Sequence, residues 1–310
     1  MVDEPDPRVR RLIDALRPKA KSLLVTIYGD AIAHRGGNAW LGSVIALAAD
    51  VGLAERAVRT SVLRLAQEGW LASQQIGRRS YYRLTDDGRR RFDAAHERLY
   101  RDDTRPWDRH WTMLALGTVD SPQRESLRRD LSWLGFGSLS GDVMLHPDPD
   151  DGALRQLLAG PEAAGDALAL RGDALPMVTP QTLRATARTC WDLDRLGADY
   201  TEFLDTFRPL WQALGKAGQL EPRSAFAVRT LLMHGYRRAC LRDPFLPQEL
   251  LPSDWPGGAA RLLCRNLYRR VQAAGERHVE TVLETAEGPA PQAAARYYAR
   301  FGGLDRPAAR

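Results

Sequence analysis

The sequence predicts an α+β multidomain protein. It opens with a winged helix-turn-helix, continues with a small ferredoxin-like α/β domain and closes with a helical domain. Three observations carry this reading. Leu41 to Thr85 gives helix, turn, helix and hairpin signals in succession; residues 111 to 171 read β-α-β-β-α-β; and helical patterns dominate from Pro180 to near the end. A chain of 310 residues fits two or three domains of about 100 to 200 residues each. The expected boundaries are 1–101, 102–178 and 179–310.

Residues 1 to 16 read as a flexible lead-in with a short helix from Arg8 to Leu16. Lys21 to Ala33 carries an apolar helical stripe that would brace the motif, and Ala39-Trp40 is a short strand to pair with the wing. Leu41 to Ala49 and Glu55 to Glu68 are the two helices, joined by Asp50-Val51-Gly52-Leu53. At 100° per residue Val58, Val62, Leu65 and Ala66 share one face of the second helix; Arg56, Thr60 and Gln67 share the other, with Arg59 and Arg64 at its flanks. Such a helix buries the first set and offers the second to a major groove, where Arg reads guanine edges bidentately. A solvated Arg-rich face is the plainer alternative, disfavoured by the turn and wing that accompany it. Leu63 also lies toward the polar face with nothing assigned to cover it. Ala54 stands at the N-cap, where Ser would serve better.

Leu71 to Ile76 and Ser80 to Leu84 form a hairpin closed by Gly77-Arg78-Arg79. Arg78, Arg79, Ser80 and Tyr81 at or beside its tip complete the candidate DNA-contacting set, with one of Tyr81 and Tyr82 packing inward. Thr85 caps a helix from Asp86 to Tyr100, and Arg105-Pro106 marks a boundary. Next come a strand at Trp111 to Val119, a helix from Gln123 to Leu134 capped by Ser121, strands near Phe136 to Leu139 and Val143 to His146, a helix from Gly152 to Leu158, and a strand at Ala167 to Arg171. Helices are expected at Gln181 to Leu196, Asp199 to Ala217, Pro222 to Leu241 and Gly258 to Glu284. The proline-rich stretch Asp243 to Gly257 must be a shaped, non-helical connector. Residues after Gly288 are expected to fray.

Charge supports a nucleic-acid partner. Between Arg17 and Arg101 stand 15 Lys and Arg against 8 Asp and Glu, a net of +7, which leaves −2 for the rest of a chain whose total is +5. Three widely spaced cysteines, Cys190, Cys240 and Cys264, fit neither a zinc site nor a disulfide framework and read as buried thiols of a reducing cytosol. No metal or cofactor is expected. An acidic, proline-containing start and the absence of a long apolar run predict a cytoplasmic protein without a membrane span.

Several stretches resemble the PaaX family of transcriptional regulators, named for repressors of phenylacetate catabolism. They are SLLVTIYGDAIA, GLAERAVRTSVLRL with EGWL, GRRSYYRLT, WLGFGSLSGDV, and DPFLPQELLP with DWPGGAARLL, in the family's order along nearly the whole chain. The resemblance implies a Cas2-like middle domain, a homodimer, and release from an inverted-repeat operator by phenylacetyl-coenzyme A or a related aryl-acyl thioester. Ala54 departs from the Ser of many relatives. A thioester needs cations for its phosphates and an apolar slot for its acyl group. Arg229, His234, Arg237 and Arg238 on one helix, with Trp133 and Trp255, are the candidates for that effector site, and Trp191 is a further available aromatic. The alternative puts the tryptophans in the core and the arginines in solvent. A family regulator with another effector or regulon, or with activating sign, is also compatible with the sequence. Enzyme readings are weaker: Asp120 is a lone carboxylate where a Cas2-type nuclease would bind metal, and no His or Cys stands in a nucleophile motif.

Overall fold

The computed structural model describes residues 6–101, 106–117, 119–160, 167–217 and 220–305. The opening residues 1–5, Arg105 of the expected boundary and the terminal 306–310 lie outside the described residues. The chain packs as two compact units. One combines residues up to 102 with 201–241 and 258–310; the other combines 103–200 with 242–257.

In chain order the first helices are α1 (Pro7–Leu16) and α2 (Ala20–Ile27), the latter continuing through a π-helical turn at Tyr28–Ile32 and a 3-10 turn at Ala33–Arg35. Strand β1 (Asn38–Trp40) leads into α3 (Leu41–Asp50) and α4 (Glu55–Gln67), then the strands β2 (Leu71–Ile76) and β3 (Arg79–Leu84), then α5 (Asp86–Leu99). Thr85 caps α5 as expected, its hydroxyl accepting from the Gly88 N–H at 2.9 Å. The three strands form an antiparallel sheet in the order β1-β3-β2, so the short Asn38–Trp40 strand pairs with β3.

Next come β4 (His110–Ala115), α6 (Ser121–Trp133), β5 (Gly137–Ser138), β6 (Val143–His146), α7 (Asp151–Leu158) and β7 (Leu168–Asp173). They form a four-stranded antiparallel sheet ordered β5-β6-β4-β7, which is the ferredoxin-like arrangement expected from β-α-β-β-α-β. Leu114, Leu116, Leu127, Leu131, Phe136, Met144 and Leu154 fill its core. The first strand ends at Ala115, short of the expected Val119. Asp120 is the N-cap of α6, one residue before the expected Ser121, and its side chain makes no capping bond.

The helical remainder comprises α8 (Pro180–Cys190), α9 (Leu193–Ala217), α10 (Pro222–Cys240), α11 (Gly257–Val282), the hairpin β8 (Glu284–Thr285) and β9 (Gly288–Pro289), and α12 (Ala295–Tyr298). Sequence placed the first break near Gly197; it falls at Trp191-Asp192. Trp191 is extended and its indole N–H donates to the Gly135 carbonyl at 2.9 Å, so a tertiary bond ends α8, while Gly197 lies inside α9. The proline-rich connector is not helical beyond a 3-10 turn at Gln248–Leu250, and it joins the second unit: Leu246 and Leu250 pack with Ala187 and Leu193, and Trp255 lies against Tyr200. The tail after Gly288 does not fray through residue 305. Tyr297, Arg300 and Phe301 are buried, because an aromatic pair and a cation there complete the interior described below.

Candidate nucleic-acid interface

Helix α3 ends in a tight turn in which Val51, Gly52 and Leu53 N–H groups all donate to carbonyls of Ala48 or Ala49. Gly52 sits at φ +83°, a left-handed conformation that a side chain would strain. The turn delivers Ala54 as the N-cap of α4, with no side-chain bond to the helix start. Val58, Val62 and Leu65 of α4 are buried, against α2 and α3. The opposite arc, Arg56, Arg59, Thr60, Leu63, Arg64 and Gln67, is exposed, as the phase count requires.

These exposed side chains are not equally free. Arg59 is paired with Glu55 one turn earlier at 2.7 Å, and the Thr60 hydroxyl donates back to the Arg56 carbonyl at 2.9 Å. Among the described residues, no ion pair restrains Arg56, Arg64 or Arg78.

The hairpin turn is tighter than expected. Ile76 faces Arg79 in register, so only Gly77 and Arg78 form the loop, with Gly77 at φ +60°. Arg79 therefore belongs to β3. Its guanidinium lies 4.3 Å from the Trp40 ring and 2.7 Å from Glu284, and so ties the tip end of the hairpin to Trp40 and Glu284. Ser80 is half-buried. Tyr81 is only 7% exposed, so it is the inward tyrosine and cannot reach a groove; this corrects its place among the DNA-contacting residues.

Long-range bonds fix α3 and the segment around it to elements far along the chain. Asp50 at the end of α3 meets Arg223 of α10 at 2.5 Å and His278 of α11 at 2.6 Å. The Ser43 hydroxyl accepts from the Glu284 N–H at 3.0 Å. The same unit encloses a buried ionic node. Asp30, in the π-helical turn, accepts from the Tyr100 and Tyr268 hydroxyls at 2.7 and 2.9 Å, from Arg300 at 3.0 Å, and faces Arg229 at 2.9 Å. Arg229 also reaches Glu276 at 2.6 Å and the Tyr297 hydroxyl at 3.0 Å, and Arg35 pairs with Glu276 from the other side. Burial pushes the Glu276 carboxyl up, but Arg229 and Arg35 outweigh it and hold it below the ordinary carboxylate range. His34, stacked 4.3 Å from Tyr297, is driven far below its ordinary range by burial first and then by Arg300, Arg35 and Arg229.

Sequence reasoning did not pick out Asp30, Arg35, Glu276, Arg300, Asp50 or His278 as functional or structural partners. One signal was present: Asp30 falls on the same helical stripe as Leu23, Leu24 and Ile27, and a carboxylate on an apolar stripe requires a buried partner.

The candidate effector residues do not converge within either unit. Arg229 is fully buried and committed to Asp30 and Glu276, which corrects its assignment as a ligand cation. His234 is buried, with Nδ1 3.1 Å from the Thr26 hydroxyl, and burial followed by Arg237 and Arg238 lowers it to about 4. Arg237 donates to the Ser22 carbonyl and Thr26 hydroxyl at 3.0 Å, and Arg238 lies 3.7 Å from Glu202. In the other unit Trp133 is 75% exposed on α6, whereas Trp255 is packed against Tyr200. A pocket of the first unit, lined by Leu220, Ala225, Arg270, Val271, Ala274 and Arg277 among others, includes none of the six. Cys240 and Cys264 are buried free thiols as expected, while Cys190 is half-buried. Among the described residues no helix is long and apolar enough to cross a membrane.

Three family models match the chain: PaaX-like protein over residues 19–88, PaaX protein central Cas2-like domain over 104–184, and PaaX-like protein C-terminal domain over 191–281. The chain is 38% identical over 301 residues to the transcriptional repressor PaaX of Escherichia coli strain K12, covering 97% of this chain and 95% of that protein. Among solved structures it is similar to the uncharacterized protein Rv0674 from Mycobacterium tuberculosis, at 26% identity and a TM-score of 0.47, covering 75% of this chain and 89% of that one.

Proposed function

The chain belongs to the PaaX family of transcriptional regulators, and from that premise we propose that it is a DNA-binding repressor whose reader is a winged helix-turn-helix. In this reading α3 and α4 are the helix-turn-helix, the β1-β3-β2 sheet is the wing, and α4 enters the major groove. The observation that carries it is the division of α4: Val58, Val62 and Leu65 face the interior, and Arg56, Thr60, Arg64 and Gln67 face solvent. Arg56, Thr60 and Gln67 read base edges; Arg59 and Arg64 flank them toward phosphates; Arg78 at the hairpin tip lies along the backbone. Arg79 shapes the wing and Ser80 supports it.

The repressor acts as a homodimer on an inverted repeat, with recognition helices about 34 to 36 Å apart. The open edge of β7 supports a pairing surface for that dimer, since all six of its residues are exposed, Leu168 and Leu170 at 57% and 47%. Phenylacetyl-coenzyme A, or a related aryl-acyl thioester, weakens DNA binding by about 5- to 150-fold, the usual range of such coupling. The function is transcriptional, in the cytoplasm, with no catalytic step.

Selection of duplexes from a random pool with the full-length chain, followed by gel shift, tests this reading. A palindromic binding sequence, released by phenylacetyl-coenzyme A and not by coenzyme A, is the expected outcome. Recovery of no preferred duplex overturns the repressor reading; a preferred duplex insensitive to every aryl thioester overturns the effector alone.

A further inference from the structure

Leu63 is anomalous on α4. Every other large apolar side chain of that helix is buried, yet Leu63 is 53% exposed. Its phase is not marginal. At 100° per residue it lies between Arg59 on one side and Arg56, Gln67 and Thr60 on the other, at the middle of the polar arc. Single exposed leucines are common on protein surfaces; what sets Leu63 apart is its place, at the centre of the α4 face proposed to meet DNA and among the arginines of that face.

The major groove explains both features together. Its floor presents hydrogen-bonding atoms at every base pair and one apolar group, the thymine 5-methyl. Arg59 and Arg64, at the two flanks, would draw α4 against the phosphates on either side of the groove and leave its centre line facing the bases. We infer that Leu63 is a specificity residue that packs on the 5-methyl group of a thymine within the operator half-site. The inference rests on the DNA-reading role of α4 proposed above and adds to it the identity of a base and the group read on it. Arg56, Thr60 and Gln67 select by hydrogen bonds; Leu63 selects by excluding water from a methyl.

The experiment uses the full-length chain and the duplex recovered by selection, with each thymine replaced in turn by uracil, which differs only in lacking the methyl. Affinity is read by fluorescence anisotropy. Wild type loses about 3- to 5-fold at one position per half-site, the effect of one buried methyl contact. Leu63→Ala loses a similar factor on the thymine duplex and no longer distinguishes uracil at that position, while Leu63→Met retains the distinction. Because the side chain is exposed, neither variant shifts the thermal midpoint. Uracil sensitivity that persists unchanged in Leu63→Ala, or its absence at every position in wild type, overturns the inference while leaving the DNA-reading role standing. Failure to recover any preferred duplex removes that role, and the inference with it.

Discussion

Two sets of arginines on helices of the same unit have opposite fates. On α4, Arg56 and Arg64 stand exposed with no ion pair among the described residues, on the face of the helix opposite its buried side chains. In the interior, Arg35, Arg229 and Arg300 are fully buried around Asp30 and Glu276. The exposed set keeps its charge available for a polyanion and pays nothing in desolvation. For the buried set, the carboxylates and tyrosine hydroxyls offset that desolvation, and the charge is spent within the protein. The contrast shows that an arginine in a helical pattern is not by itself a ligand cation; the partner that it meets across the fold decides. Arg229 sits on the same helix as Arg238, and only the latter is open to solvent.

The contrast is broken most directly at Arg229. Arg229→Met leaves Asp30 and Glu276 short of a buried partner and is expected to cost about 3 to 5 kcal/mol in a urea unfolding series. A loss below 1 kcal/mol would mean that the node is not a structural element. Acid probes the same interior. His234 is held at about 4 in the folded chain, whereas an unfolded histidine titrates near 6.5. The unfolded chain takes up the proton first, so the stability present above about 6.5 is lost as pH falls toward 4. For His234 that amounts to about 2 kcal/mol between pH 7 and 5. His96, lowered to about 3 by burial and then by Arg300 and Arg296, adds to the same slope. His234→Gln should flatten the pH dependence of the unfolding free energy; an unchanged slope would assign it to other groups.

On the exposed side, Arg56→Ala is expected to lose about 1 to 3 kcal/mol on the selected duplex with little change on random DNA, and to shift folding stability by less than about 0.5 kcal/mol. Equal losses on both DNAs would move Arg56 to the phosphate-contacting set. Arg78→Ala should weaken all duplexes alike and reduce the salt slope by about one. The smallest effect is a gain: Ala54→Ser supplies the missing cap of α4 and should stabilise the fold by about 1 kcal/mol in thermal unfolding.

Local patterns made much of this molecule legible. The bounds of α3, α4 and β2, the cap at Thr85 and the four-strand order of the middle domain follow from period, turn residues and caps close in sequence. What failed depended on distant partners. The break at Trp191 is set by a bond to Gly135, the burial of Tyr297 and Arg300 by Asp30 and its neighbours, and the inward turn of Tyr81 by the sheet it joins. The proline-rich connector was legible as non-helical, but which unit it joins was not, because Leu246 finds its partners more than fifty residues away. In the candidate interface, phase assigned the α4 arc; it could not show that Glu55 holds Arg59 or that Glu284 holds Arg79.

Amide hydrogen exchange of the full-length chain, with and without the selected duplex, tests the central claim that α4 and the β2-β3 turn are the DNA-reading surface. The account predicts slowed exchange over Glu55–Gln67 and at Gly77 and Arg78, with the sheet of the second unit unchanged at β4 and β6. Protection confined to the second unit, with α4 unaffected, would contradict it.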